Sequence, residues 1–158
     1  MKELDYQQYL NRAEVYCAKS EHCPAELDNK LREWGCIDNN WRNDIIDNLI
    51  DNGFINEKRY CRAFVHDKFL YQSWGKVKIR THLRQKRIDS RLIEEALLSI
   101  DEQQYDSQLE QLIKNKLADT RDIGEKERAS IFRFCLQRGF EYSKIAKLIG
   151  SCDIPTEE

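Results

Sequence analysis

The stretch SWGKVKIRTHLRQKRID, Ser73 to Asp89, places Lys76, Lys78, Arg80, Arg84, Lys86 and Arg87 close together, with no carboxylate before its last position. The acid-free run is longer still, 21 residues from Lys68 to Ile88. Helix surfaces ordinarily mix both signs three and four residues apart, so these cations are expected to face something outside the chain. Their chemistry is recognition of phosphate or carboxylate oxygen. On a helix over 75–86, Lys76, Arg80, Arg84 and, just past its end, Arg87 fall within about 80° of one another. This stripe borders the side marked by Ile79 and Leu83, so the aliphatic stems can cover apolar surface while the heads reach outward. Lys78 and Lys86 broaden the patch, and Arg59 and Arg62 on the preceding helix extend it. Tyr71 and Trp74, in the connector, are candidates to stack on exposed bases. Tyr60, Phe64 and Phe69 recur at helical spacing and read as core. With phosphates as the target, four to six contacts give a log–log salt slope of about −3 to −5. The competing reading is a solvated face whose cations meet acids from the rest of the chain.

The charge pattern sharpens the choice. A formal charge of −2 over 158 residues conceals −5 for residues 1–56, +8 for 57–91 (eleven cations against three acids) and −5 for 92–158. A basic centre between acidic flanks is the electrostatic footprint of a nucleic-acid or acidic-protein site. Catalysis finds no constellation: there is no Gly-rich phosphate loop, no Gly-x-Ser-x-Gly and no HExxH. Glu94 and Glu95 are adjacent and point about 100° apart on a helix. Six cysteines include no CxxC pair, and His22, His66 and His82 are scattered, so neither a zinc site nor another cofactor is expected. Most thiols read as small core residues. With 34% charged residues and no apolar run near 20 residues, a membrane span is not expected. The start, MKELDYQQYLNRAE, lacks the pattern of a secretory signal, so the cytoplasm is the expected location.

The elements that must position the cations are helices, since apolar residues recur at three and four. Pro24 suits a first turn, Gly35, Gly53 and Gly139 suit helix exits, and Asp38, Asn56 and Ser90 suit N-caps, with a break near Thr120 or Asp122. Shifted by 52 residues, the chain overlays itself twice. Leu27, Ile79 and Ile131 coincide, as do Leu31, Leu83 and Cys135; Cys36, Ile88 and Phe140; Trp41, Ile93 and Ile145; and Ile45, Leu97 and Ile149. The intervening turn recurs as Gly35, Arg87 and Gly139. A further amphipathic helix precedes each pair. The expectation is therefore an all-α chain of three tandem three-helix, helix-turn-helix-like repeats, over 1–55, 56–101 and 102–150, with a loose tail over 151–158. Units this small bury too little surface alone, so adjacent copies are expected to pack into an extended, curved row suited to a large partner.

Three segments resemble the RecX family. INEKRYCRAFVHDK is similar to the entry of its second unit, WGKVKIRTHLRQKRID to its "Gly, x, x, x, Ile, x, x, x, Leu, x, x, x, Gly, Ile" segment, and IFRFCLQRGFEYSKIAKLI to its last repeat. The likeness runs from about Leu10 to Gly150; Arg87 stands where the family usually has glycine. It implies three three-helix repeats, no catalytic residues, and a monomer that lodges in the groove of a RecA filament on DNA. There it restrains RecA in recombination, repair and the SOS response, with weak, salt-sensitive contact to single- or double-stranded DNA. Two alternatives stay open from the residues: a helix-turn-helix transcription factor reading the major groove, and a repeat adaptor that binds only acidic proteins.

Overall fold

The computed structural model describes residues 4–117 and 124–150. The break expected near Thr120 or Asp122, Cys152 and the tail 151–158 lie outside the described residues. Within them are nine helices and no strand: α1 Tyr6–Lys19, α2 Pro24–Glu33, α3 Asn39–Asp51, α4 Glu57–Leu70, α5 Lys76–Gln85, α6 Ser90–Leu98, α7 Glu102–Leu117, α8 Glu125–Gln137 and α9 Tyr142–Ile149. Local chemistry sets their ends. Asp5 and Gln8 form a reciprocal capping box at α1, Pro24 occupies the first turn of α2, and the Asp38 carboxylate accepts from the Asn40 and Trp41 N–H groups. Asn56 accepts from the Arg59 N–H and so starts α4. At α6 the cap is Asp89, which accepts from the Arg91 N–H; Ser90, expected in that role, is already the first helical residue.

The chain divides into two compact units, one of residues up to Phe64 together with Leu83–Ile93, the other of Val65–His82 together with residues from Glu94 onward. The division falls inside α4, α5 and α6. In the first unit α1, α2 and α3 pack on one another around Tyr9, Leu10, Ala13, Leu27, Leu31, Ile45 and Leu49. In the second, α7, α8 and α9 do the same, with Tyr105, Phe132 and Phe140 fully buried. Of the repeated columns, only Trp41 and Ile149 are not buried. Trp41, expected in the core, is 37% exposed; its indole packs instead on the rings of Tyr6 and Tyr9, because that column meets the edge of α1.

The turn after the second helix of each repeat has one geometry. Gly35, Arg87 and Gly139 have φ of 97°, 59° and 94°. Their N–H groups donate to the carbonyls of Arg32, Arg84 and Leu136, and the next N–H groups, of Cys36, Ile88 and Phe140, donate to Leu31, Leu83 and Cys135. This is the Schellman arrangement, in which an apolar residue just past the helix closes over one near its end. Arg87 therefore adopts the left-handed turn without being glycine, at a backbone cost of roughly 1 kcal/mol or more.

At Gly139 the turn has a second duty. The N–H groups of Gly75 and Val77 donate to the carbonyls of Arg138 and Gly139 at 2.7 and 2.9 Å. A Cβ on Gly139 would stand 2.3 Å from Lys78 Cβ and 2.5 Å from its backbone nitrogen. Gly53, with φ 78°, has open space around it. Gly139→Ala is accordingly expected to cost about 3 kcal/mol or more, strain plus displacement of α5. Gly53→Ala should cost only about 1 kcal/mol. Urea midpoints of the two variants, compared at equal slope, check the difference.

Candidate nucleic-acid interface

In the second unit the central cations are held from within. Lys76 Nζ lies 2.8 Å from Glu102 Oε1 and 4.8 Å from the centre of the Tyr105 ring. Its side chain is only 14% exposed. The backbone N–H of Lys76 donates to the Tyr105 hydroxyl at 3.0 Å, which in turn donates to Glu141 at 2.7 Å. Burial and the Glu141 carboxylate hold that phenol protonated. Arg80 makes a two-pronged contact with Glu94, at 2.7 and 3.2 Å. Lys78 stands 4.3 Å above the Trp74 ring, with Lys68 at 5.0 Å and the His82 ring centre at 4.6 Å. Trp74 is thus half-buried under cations, whereas Tyr71 is 76% exposed, with His66 beside its ring.

In the first unit the picture differs residue by residue. Arg59 is tied to Glu21 and to the carbonyls of Gly53 and Phe54, bracing the turn between α3 and α4. Lys86 Nζ lies 3.6 Å from Glu26. Arg62, Arg84 and Arg87 are exposed and form no ion pair among the described residues. Lys58 and Arg91, not singled out from the sequence, share that condition; their only signal was membership of the +8 segment. The expectation that the whole stripe lacks partners is corrected: Lys76 and Arg80 each face a carboxylate, as does Lys86 beside the stripe, and only Arg84 and Arg87 of the stripe stand clear. The reason is range. Glu102 lies 26 residues from Lys76 and Glu94 lies 14 from Arg80, beyond a local charge count.

The first unit also carries a feature the sequence did not announce, a polar cleft of about 470 Å³ whose walls include Arg32, Asn39, Glu57, Lys86 and Arg87. Beneath it lies Arg42, the one buried charged side chain among the described residues. It donates to Asp28 Oδ1, the Cys36 carbonyl and Asn39 Oδ1. Asp28 also holds Arg32, at 3.0 Å. In sequence, Asp28 and Arg32 look like an ordinary helix-surface pair.

Other chemistries have little to stand on. Cys17, Cys23, Cys36, Cys61 and Cys135 are free and buried, and burial pushes Cys17, Cys61 and Cys135 up to about 11, away from the reactive thiolate. Among the described residues no cluster could hold a metal, and no helix is long and apolar enough to cross a membrane.

A family model described as RecX, second three-helix domain, matches residues 56–97. The chain is 31% identical over 140 residues to regulatory protein RecX of Pseudomonas entomophila, covering 87% of this chain and 86% of that one. It is 32% identical over 138 residues to that of Pseudomonas savastanoi pv. phaseolicola, covering 84% and 83%. The crystal structure of RecX from Lactobacillus salivarius superposes with a TM-score of 0.78 and 25% identity, covering 91% of this chain and 94% of that one. A crystal structure of regulatory protein RecX, 20% identical, gives 0.81 over 94% and 80%, a likeness of fold.

The Glu102 carboxylate, bridging Lys76 and Lys144, yields a pH prediction. Hydrogen bonds from the two ammonium groups, Lys76 first, hold Glu102 below its ordinary 4.5. A group depressed in the folded state adds stability above its unfolded pKa and loses it as pH falls through the folded one. Glu102→Gln is therefore expected to unfold at lower urea than the parent at pH 7, and to coincide with it once pH is well below 4. Urea midpoints across that range measure the convergence.

Proposed function

The chain belongs to the RecX family, and on that footing we propose that it regulates the RecA recombinase by binding the RecA nucleoprotein filament and restraining its ATP hydrolysis and strand exchange. The observation that carries the surface part of this reading is the set of unpaired cations. Within a segment of net charge +8, Lys58, Arg62, Arg84, Arg87 and Arg91 are exposed with no carboxylate partner among the described residues. Such groups meet DNA phosphates or acidic protein surface without first breaking an internal pair. Lys76, Arg80, Lys86 and Arg59 join only by exchanging a carboxylate for a phosphate, a smaller gain. Lys78 with Trp74, and the exposed Tyr71, are the groups suited to stack on unpaired bases. The protein acts as a monomer in the cytoplasm, with the three sequence repeats as its recognition modules and no catalytic step of its own.

Purified chain added to RecA, ATP and single-stranded DNA is expected to slow ATP hydrolysis and strand exchange in proportion to occupancy. The double charge reversal Arg62→Glu, Arg84→Glu should need roughly tenfold more protein for the same effect. Raising salt should weaken the parent more steeply than the variant. An unaltered RecA ATPase rate at stoichiometric excess of the parent would refute the reading.

A further inference from the structure

Arg87 presents a contradiction. Two of the three equivalent turns use glycine, and Arg87 adopts the same left-handed conformation, φ 59°, with a Cβ to accommodate. Its side chain earns no compensating ion pair among the described residues, yet it lines the 470 Å³ cleft of the first unit. Strain kept at one copy of a repeated element, where the other copies show the relaxed solution, points to use of the side chain there.

The cleft tells what that use is. Asp28 is engaged by Arg42 and Arg32, so it offers no free negative charge, and the Arg32 side chain, held through Nε, is 60% exposed. Asn39 accepts from Arg42 through Oδ1, which turns its amide donor group the other way. Arg87 lines the same space, exposed and with no ion pair among the described residues, and Lys86, which also faces Glu26 at 3.6 Å, lines it too. Donors therefore converge on a wall fixed from beneath by a buried arginine, which is the preparation an oxyanion needs. Asn29, Asn43 and Gln85 are also in the lining; amide side chains can give and take hydrogen bonds with a peptide backbone. A nucleic-acid strand fits less well. Glu57 lines the cleft and neighbours Asp89, and burial first, then Asp89, raises its pKa. Beside that acidic side a strand's backbone presents only acceptors, whereas a peptide backbone presents N–H donors as well.

We propose that this cleft is a docking site for an acidic protein segment, with Arg32 and Arg87 gripping a carboxylate and the amides pairing the adjoining backbone. It goes beyond the filament reading, because the cleft's chemistry is complete without RecA or DNA.

The test uses two fluorescent probes, a hexaglutamate peptide and a six-nucleotide oligothymidylate, titrated in low salt with the full chain and no RecA. Expected is saturable binding of hexaglutamate that falls about tenfold or more in Arg87→Gly and again in Arg32→Gln. Lys147→Gln, at an exposed position of α9, should leave it unchanged. Arg87→Gly should melt about 1–4 °C higher than the parent, since the turn is relaxed. A weaker yet more stable variant excludes a folding defect as the cause. Loss of oligothymidylate binding alone in Arg87→Gly would assign the cleft to nucleic acid and overturn the proposal. So would hexaglutamate binding that ignores both arginines, or no binding of either probe.

Discussion

One left-handed residue after the second helix of each repeat governs how the third helix leaves it. Reversal within two residues lets the N–H groups of Cys36, Ile88 and Phe140 reach carbonyls five positions back, which satisfies helix-end acceptors that burial would otherwise strand. The same reversal lays each of those apolar side chains over Leu31, Leu83 or Cys135, all fully buried. Helix direction, backbone satisfaction and core closure thus follow from one dihedral angle. That is why the intervening turn persists at the 52-residue spacing, where coincident amphipathic stripes alone would let it drift. The three copies then diverge in their surroundings: Gly35 is open save for an ordinary contact with the Tyr9 hydroxyl, Gly139 is pressed against the backbone of Lys78, and Arg87 puts a cation into a cleft.

The contact at Gly139 explains why the start of α5 is electrostatically spent. With Gly75 and Val77 bonded to the turn, the first residues of α5 are held against the tyrosine and acids of α7 and α9. The Tyr105 hydroxyl takes the Lys76 N–H that a helix start leaves without a partner, and Glu102 takes its ammonium. These surface pairs contribute modestly to stability, because Glu102 is 65% exposed and salt screens it. Their larger effect is on the field: a cation facing a carboxylate at 2.8 Å attracts a distant phosphate far less than a bare one.

Helix content, the repeated columns, most caps and the left-handed turn could be read from the sequence, since each rests on periodicity or on residue preferences within one turn of backbone. The position of Trp41 could not, because its exposure is decided by where α1 ends beside it. Nor could the partners of Lys76 and Arg80, which come from other helices. The cleft was least visible of all. Its wall joins α2, the start of α3 and residues around Lys86, and Arg42, which bonds to Asp28 and Asn39 of that wall, sits among asparagines and aspartates where nothing marks it as buried.

A charge run in sequence is therefore an upper bound on a binding surface, and the residues that survive the bound are not those at its centre. In the middle of the run, around Lys76 to Arg80, acids from other helices reach the cations: Glu102 pairs with Lys76 and Glu94 with Arg80. The bare cations lie toward the edges of the basic segment, from Lys58 and Arg62 before it to Arg84, Arg87 and Arg91 at its end. Burial and charge compete for the same helix: stems that cover the core bring their heads within reach of internal carboxylates, and stems that leave the core keep their charge for others. Arg87 belongs to the second kind: it stands exposed just past the end of α5, in a left-handed turn whose backbone cost no ion pair among the described residues offsets.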